Sequence, residues 1–377
     1  MAVLGMGAAV LFTGLVLLSM RGRPFAGLIQ PGLAGPATPL VQRDFPGLRL
    51  PPGAGNDGQL FYALARDPLH PTQAGRSLDR SRYRLQRPLY PLLAWALHPW
   101  GGGNGLVAAL LTVNTLAAAI AVASLAWWAS RNGRSPVWGV TALALPGAYM
   151  AMRISCADLL AAGLALLAAA LLYEDRPRWA IVAAVASVLT KESTLIFMFG
   201  IALSAIVAGR SRRCALVFVA VPTAVAGALW AVLLVTFPHA GHQYAEVGTP
   251  LRGLAQSASY WRASGDWRPA LTVAGSGALA FLALARAPRS WFAAVVGGYL
   301  ALAAMQTMAT LAFWTSAPRT LYPLGVCALA ALLDGPAGWT GRSPGAPEAS
   351  RDAVDRIENG SATGAKAARG SAQHALQ

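Results

Sequence analysis

Apolar residues dominate ten stretches of the chain, 2–20, 104–129, 135–152, 155–173, 178–190, 193–209, 214–237, 269–285, 290–309 and 318–334. At 1.5 Å per helical residue most of these approach the roughly 30 Å of a bilayer's hydrocarbon core. Short basic turns separate alternate pairs of stretches: Arg131 and Arg134, then Arg176 and Arg178, then Arg210, Arg212 and Arg213, then Arg286 and Arg289. Arginine and lysine collect on the cytoplasmic face of membrane proteins. With a cytoplasmic N-terminus, all four turns and the tail from residue 335 fall inside. The pattern predicts an all-α polytopic membrane bundle of about ten spans, with both termini cytoplasmic. The run 2–20 has no basic n-region and no small-x-small cleavage site, so it reads as a retained first span and not a signal peptide.

Polar residues inside the apolar pattern sharpen the topology. Residues 178–209 contain Lys191 and Glu192. As one helix they would extend about 48 Å, too long for the core, and basic turns flank both ends. The stretch therefore predicts two arms joined by a turn at 190–193, with Lys191 and Glu192 at the outer edge. The alternative is one tilted helix holding a buried Lys191–Glu192 pair. Residues 88–100 are apolar but make only about 20 Å of helix, between prolines and a glycine run; they predict an interfacial helix on the outer side. Two large outer loops remain, 21–103 and 238–268. The transmembrane domain then covers 1–334. The tail 335–377, rich in Gly, Ala, Ser and Arg, predicts a disordered cytoplasmic segment.

Composition agrees with the pattern. The chain is 55% hydrophobic and 12% charged, against about 25% charged in soluble domains. A net charge of +15 is accounted for by membrane topology and calls for no nucleic acid. Cys156, Cys214 and Cys327 have neither metal-site nor disulfide spacing. His239 and His242 have an H-x-x-H spacing, but Pro238 and Gly241 argue against the helix that would put both on one face; no metal site is assigned. His70 and His98 have no partners by spacing.

Three cations break the topology rule. Arg153, Lys191 and Arg319 each sit at the outer mouth of a span, where a charge commonly marks a substrate path. Converging on one cavity, they would suit a phosphate or pyrophosphate ligand that arrives from the membrane. Singly, each is also explained as a headgroup anchor. Asp158 could pair with Arg153, and Glu192 with Lys191. In 55-GNDGQLFYALARDP-68, Asp57 opens a short helical run. It is either an N-cap or a general base above the cavity, roles compatible only if one carboxylate oxygen stays free.

These residues resemble the GT-C class of membrane glycosyltransferases. A first span is followed by a long loop with an early aspartate and a proline-led helix, RPLYPLLAWAL. The stretch ASVLTKESTLIF is similar to that class's LTK turn, RISCADLLAAGLALLAAALLY to its span opened by an acid, and APRTLYPLGVCALAALL to the start of its last helix. The combination of NDGQLFYALARDP with RYRLQRPLYPLLAWAL resembles bacterial cell-surface glycopolymer enzymes; further relatives include protein O-mannosyltransferases and aminoarabinose transferases. Lys-Glu replaces the Lys-Gly or Lys-Pro common in relatives, and the early aspartate has no adjacent second acid, which leaves assistance by a divalent cation open. The large soluble C-terminal domain of the oligosaccharyltransferase branch is lacking.

The resemblance implies an inverting transfer of a sugar from a polyprenyl-phosphate donor to a glycan or protein hydroxyl, at the outer face of a bacterial-type inner membrane. Asp57 would deprotonate the acceptor. Arg153, Lys191 and Arg319 would hold the donor phosphate. Asp158 and Glu192 would orient these cations or bind sugar hydroxyls. Tyr62, Tyr90, Tyr322 and Trp95 are candidates to line the sugar or lipid pocket, or to form an interfacial aromatic belt. Two other classes share the charge pattern: a lipid-linked sugar flippase or other transporter, and a non-catalytic scaffold of envelope assembly.

Overall fold

The structure, a computed structural model, describes residues 1–238 and 246–334; His239, His242 and the tail from residue 335 lie outside the described residues. It is all-helical, and among the described residues no strand forms beyond a single antiparallel bridge between Val247 and Gln306. After α1 (Ala2–Ser19) the first loop folds into five short helices: α2 (Thr38–Asp44), α3 (Asp57–Arg66), α4 (Pro71–Ala74), α5 (Ser81–Leu85) and α6 (Leu89–Leu97). The chain continues through α7 (Asn104–Arg131), α8 (Thr141–Ala144), α9 (Pro146–Arg153), α10 (Asp158–Tyr173), α11 (Pro177–Thr190), α12 (Leu195–Val207) and α13 (Arg212–Thr236). It ends with α14 (Arg252–Ser264), α15 (Arg268–Arg286), α16 (Ala293–Met305), α17 (Met308–Leu311) and α18 (Ala317–Asp334).

Among the described residues, four helices, α1, α7, α13 and α15, are long and apolar enough to cross a membrane. Helix α7 is the central post, flanked by α1 and α10, and it buries Leu110, Leu125 and Trp128 completely. Helices α1, α13 and α15 instead turn large apolar side chains outward, including Leu11, Val235 and Leu271. Helical backbone satisfies its own polar groups, so an apolar outer face of this kind suits lipid, whereas in water it would be an unusually large exposed patch.

Polar contacts sort the two ends of the bundle. At one end Arg131 meets Glu174 at 3.6 Å and Arg210 meets Asp175 at 2.5 Å. Trp127, Trp128, Tyr173 and Trp291 pack ring against ring there, and the Trp291 amide donates to Asp334 at 2.8 Å. All four basic turns thus gather at this end. The short helices of the first loop, the turn at Lys191 and the segment preceding α18 occupy the other.

Three apolar stretches fold differently from a simple span. The stretch 135–152 breaks at Leu145, whose ψ is 130°; Pro146 follows, and a proline disfavours helical geometry in the residue before it. The stretch 290–309 stops helical pairing at Met305, because Gln306 turns extended to bridge Val247 and the Gly248 amide donates to the Met305 carbonyl at 2.7 Å. The stretch 178–209 is not one tilted helix. Lys191 is extended (φ −160°, ψ 118°), and a short 3-10 turn, Glu192–Thr194, leads into α12. Helix α6 buries Tyr90 and Ala94 against α7 and leaves Leu97 exposed.

Close packing sets the start of α3. A Cβ added at Gly58 would lie 2.1 Å from the Ile154 carbonyl oxygen and 2.9 Å from that of Ile29. Backbone cannot move aside as a flexible side chain can. Gly58→Ala is expected to push α3 off α9 and to destabilise the fold by about 1–3 kcal/mol, read as a lowered unfolding temperature in detergent.

Candidate functional site

The site forms where α3, α5, the turn at Lys191, the end of α16 and the start of α18 meet, around a cavity of about 480 Å3. Asn56, in extended geometry, occupies the cap position of α3, and Asp57 is the first helical residue. The Asp57 carboxylate does not cap. Its Oδ1 lies 3.0 Å from Arg84 Nη1 and its Oδ2 lies 2.5 Å from Arg319 Nη1. Both oxygens are engaged, so the free oxygen required of a base is not present in this state.

Arg319 continues the network inward, with Nη1 3.6 Å from Asp158 Oδ2. Asp158, almost fully buried at the start of α10, accepts from Lys191 Nζ through its other oxygen. The Arg153–Asp158 and Lys191–Glu192 pairings suggested by proximity in sequence therefore do not form. Adjacent residues in a turn diverge, and Glu192 instead takes a two-pronged bond from Arg87 at 2.8 and 2.5 Å. Asp79 binds Arg84 in the same manner, at 2.9 Å twice. Glu246 accepts from Arg80 at 2.8 Å and from the Tyr83 hydroxyl at 2.7 Å. The Tyr83 ring lies beneath the Arg80 and Arg87 guanidinium groups, 4.3 and 4.2 Å from its centroid.

The structure thus brings together Asp57, Lys191, Arg319 and Glu192 on the cavity, with Asp158 behind both cations. Arg153 does not join them. It donates to the Gly27 carbonyl at 2.9 Å and lines a separate cavity, because the break at Leu145 makes α9 a short helix that ends over the 3-10 turn Phe25–Ile29. None of the four aromatic candidates for a pocket or belt lines this cavity. Tyr62 is five residues after Asp57, roughly 140° around α3. Its hydroxyl donates to Asp44 at 2.8 Å and accepts from the Gly103 amide at 2.6 Å, locking the loop. The Tyr90 hydroxyl donates to the Leu110 carbonyl at 3.2 Å and accepts from Asn114 at 2.9 Å. Tyr322 is buried on α18 with an unpartnered hydroxyl, and Trp95 is half-buried on α6. Tyr83 and Tyr299 line the cavity in their place.

Sequence reasoning missed Arg80, Tyr83, Arg84 and Arg87, and a signal was available. Their spacing, i, i+3, i+4 and i+7, is that of one helical face, although the helix itself covers only Ser81–Leu85, and it lies in a loop whose charges invite the assumption of solvent exposure. They change the electrostatics. Arg80, Arg84, Arg87, Lys191 and Arg319 face Asp57, Asp79, Asp158, Glu192 and Glu246, five positive charges against five negative. The cavity is a balanced ionic lattice, not a bare cationic pocket, so an entering anion competes with carboxylates for the arginines and the lysine. Among the described residues no group of three or more His, Cys, Asp or Glu is placed to hold a metal ion.

Burial alone would raise the pKa of Asp57, but Arg319 and Arg84 override it and hold the carboxyl well below the usual carboxylate range. Asp57 is therefore ionised throughout the physiological range, and as a proton acceptor it is weak until a cation leaves it. Removing Arg84 should raise the Asp57 pKa toward its ordinary value of about 3.9. If Asp57 serves as a catalytic base, the acidic limb of a pH–activity profile is expected to move to higher pH in Arg84→Ala, with the wild-type limb lying further into acid.

No family model matches the chain, and neither a curated protein nor a solved structure matches it.

Proposed function

We propose that the chain is an integral-membrane glycosyltransferase of GT-C type. It carries a sugar from a polyprenyl-phosphate donor to an acceptor hydroxyl in cell-surface glycan formation. In this proposal the ten apolar stretches cross a bacterial-type inner membrane, the basic turns lie in the cytoplasm, and the cavity faces outward. The observation that carries it is the meeting of a loop carboxylate, Asp57, with Lys191 and Arg319 from two span mouths on one cavity. These groups lie far apart in sequence, and their types suit phosphate binding beside a proton acceptor.

The ionic lattice suggests the order of events. The donor phosphate takes Lys191 from Asp158 and Arg319 from Asp57. Losing Arg319 frees Asp57 Oδ2 and raises its basicity, so the base switches on only when the donor is seated. The acceptor oxygen attacks the anomeric carbon, its proton passes to Asp57, and the bond from that carbon to the phosphate oxygen breaks. Lys191 and Arg319 stabilise the charge arriving on the departing phosphate. Attack opposite the leaving group inverts the anomeric centre.

The test uses the full chain purified in detergent, where no second compartment exists. Incubated with polyprenyl-phosphate sugars and sugar acceptors, it is expected to release polyprenyl phosphate, followed by mass spectrometry. Donor binding without release across the panel would favour the transporter, and neither binding nor release would favour the scaffold.

A further inference from the structure

On the other side of the Asn56–Asp57 step lies a second cavity, of about 490 Å3, within the range of about 300–1,000 Å3 of small-ligand clefts. Its wall is continuous with the first site, because Asn56 lines one cavity and Asp57 the other. The charge patterns differ. The first cavity matches every cation with a carboxylate. The second receives Arg23, from just beyond α1, Arg49, from the loop before α3, and Arg153, from the end of α9, and among the described residues no Asp or Glu lines it. Among the described residues none of the three arginines forms a salt bridge. Arg153 is only 8% exposed, and its hydrogen bond to the Gly27 carbonyl leaves its charge without a counter-ion.

Burying an unneutralised guanidinium is costly, and two further arginines beside it add repulsion. Such a cluster is held together most simply when an anion completes it. Forked guanidinium donors match the oxygens of a phosphate. The turn 51-PPGAGN-56 closes the wall; Gly53, at positive φ, has open space where a side chain would stand, whereas Gly55 packs against Gln59 and Gly32. Gln30 and Asn56, hydrogen-bonded to each other at 2.6 Å, supply neutral polar groups at its edge. Arg23 is four residues beyond the end of α1, a helix long and apolar enough to cross a membrane, so the cavity lies near headgroup level.

We propose that this second cavity binds a phosphate group, separately from the Asp57 cavity, through Arg23, Arg49 and Arg153. The shared chemistry is a phosphomonoester or phosphodiester, carried by a lipid headgroup or free in solution. The site stands on its own geometry and does not depend on the proposed transferase activity.

The test measures binding of two probes, inorganic phosphate and dihexanoyl phosphatidic acid, to the full chain in uncharged detergent at low ionic strength. A Lys191→Ala/Asp158→Asn background, which leaves no orphaned carboxylate beside the first cavity, reduces occupancy of that cavity. Arg23 and Arg49 are exposed, so the Arg23→Ala/Arg49→Ala pair should fold; Arg286→Ala, at the opposite end, is the control. The paired substitution is expected to weaken phosphatidic acid binding by about tenfold or more, with Arg286→Ala unchanged. An equal loss for inorganic phosphate supports recognition of the phosphate alone, whereas loss confined to the lipid probe supports a headgroup as the source. Equal affinity with and without Arg23 and Arg49 for both probes overturns the proposal.

Discussion

Replacing Asp57 with asparagine is expected to lower the rate of the proposed sugar transfer by about 10²–10⁴-fold, the usual contribution of a positioned general base, while donor binding persists. The substitution keeps the side chain's shape and removes its charge. Some stability is lost, because buried Arg84 and Arg319 lose a carboxylate partner at 3.0 and 2.5 Å, but each retains another. Arg84 keeps both bonds to Asp79, at 2.9 Å, and Arg319 keeps Asp158 at 3.6 Å. Donor affinity is expected to hold or rise, since the phosphate no longer competes with Asp57 for Arg319. This combination, slow turnover with intact or tighter donor binding, separates a base from a merely structural carboxylate. A structural role predicts parallel loss of stability and binding. Single-turnover kinetics with separately measured donor affinity decide the matter; wild-type turnover in Asp57→Asn removes the base role.

How much of this could be read in the residues depends on the range of the interactions. Helical stretches and their basic turns are local patterns, and the break at Lys191 follows from length against the thickness of a bilayer. Lys191 and Arg319 stand out because a charge beside an apolar run is conspicuous, and Asp57 because it opens a short helical run in the first loop. Their partners were not legible, because Lys191 pairs with Asp158 across 33 positions and Glu192 with Arg87 across 105. Arg153 shows the limit of the rim-charge argument. It has the same sequence context as Arg319, but the kink before Pro146 directs its helix to a different cavity. Pro146 was visible, and its restriction of Leu145 was the missed clue. The i, i+3, i+4, i+7 spacing of Arg80, Tyr83, Arg84 and Arg87 is also visible, but loop charges are usually solvated, so spacing alone does not mark them as site residues.

Lys191→Ala should have the second large effect, on two quantities that can be pulled apart. Asp158 is only 3% exposed, and Lys191 is its near partner, with Arg319 further away at 3.6 Å. Deleting one member of a buried ion pair leaves the other uncompensated and typically costs about 3–5 kcal/mol. Lost activity in Lys191→Ala alone could then reflect a damaged fold. Adding Asp158→Asn removes the orphaned charge, since asparagine is nearly the same shape and tolerates burial without a counter-ion. The double variant is expected to recover most of the lost unfolding temperature in detergent. If Lys191 holds the donor phosphate, donor affinity stays low in that restored fold, because the cation is still missing. If Lys191 serves only to neutralise Asp158, stability and donor affinity return together, and the phosphate role assigned to Lys191 is wrong.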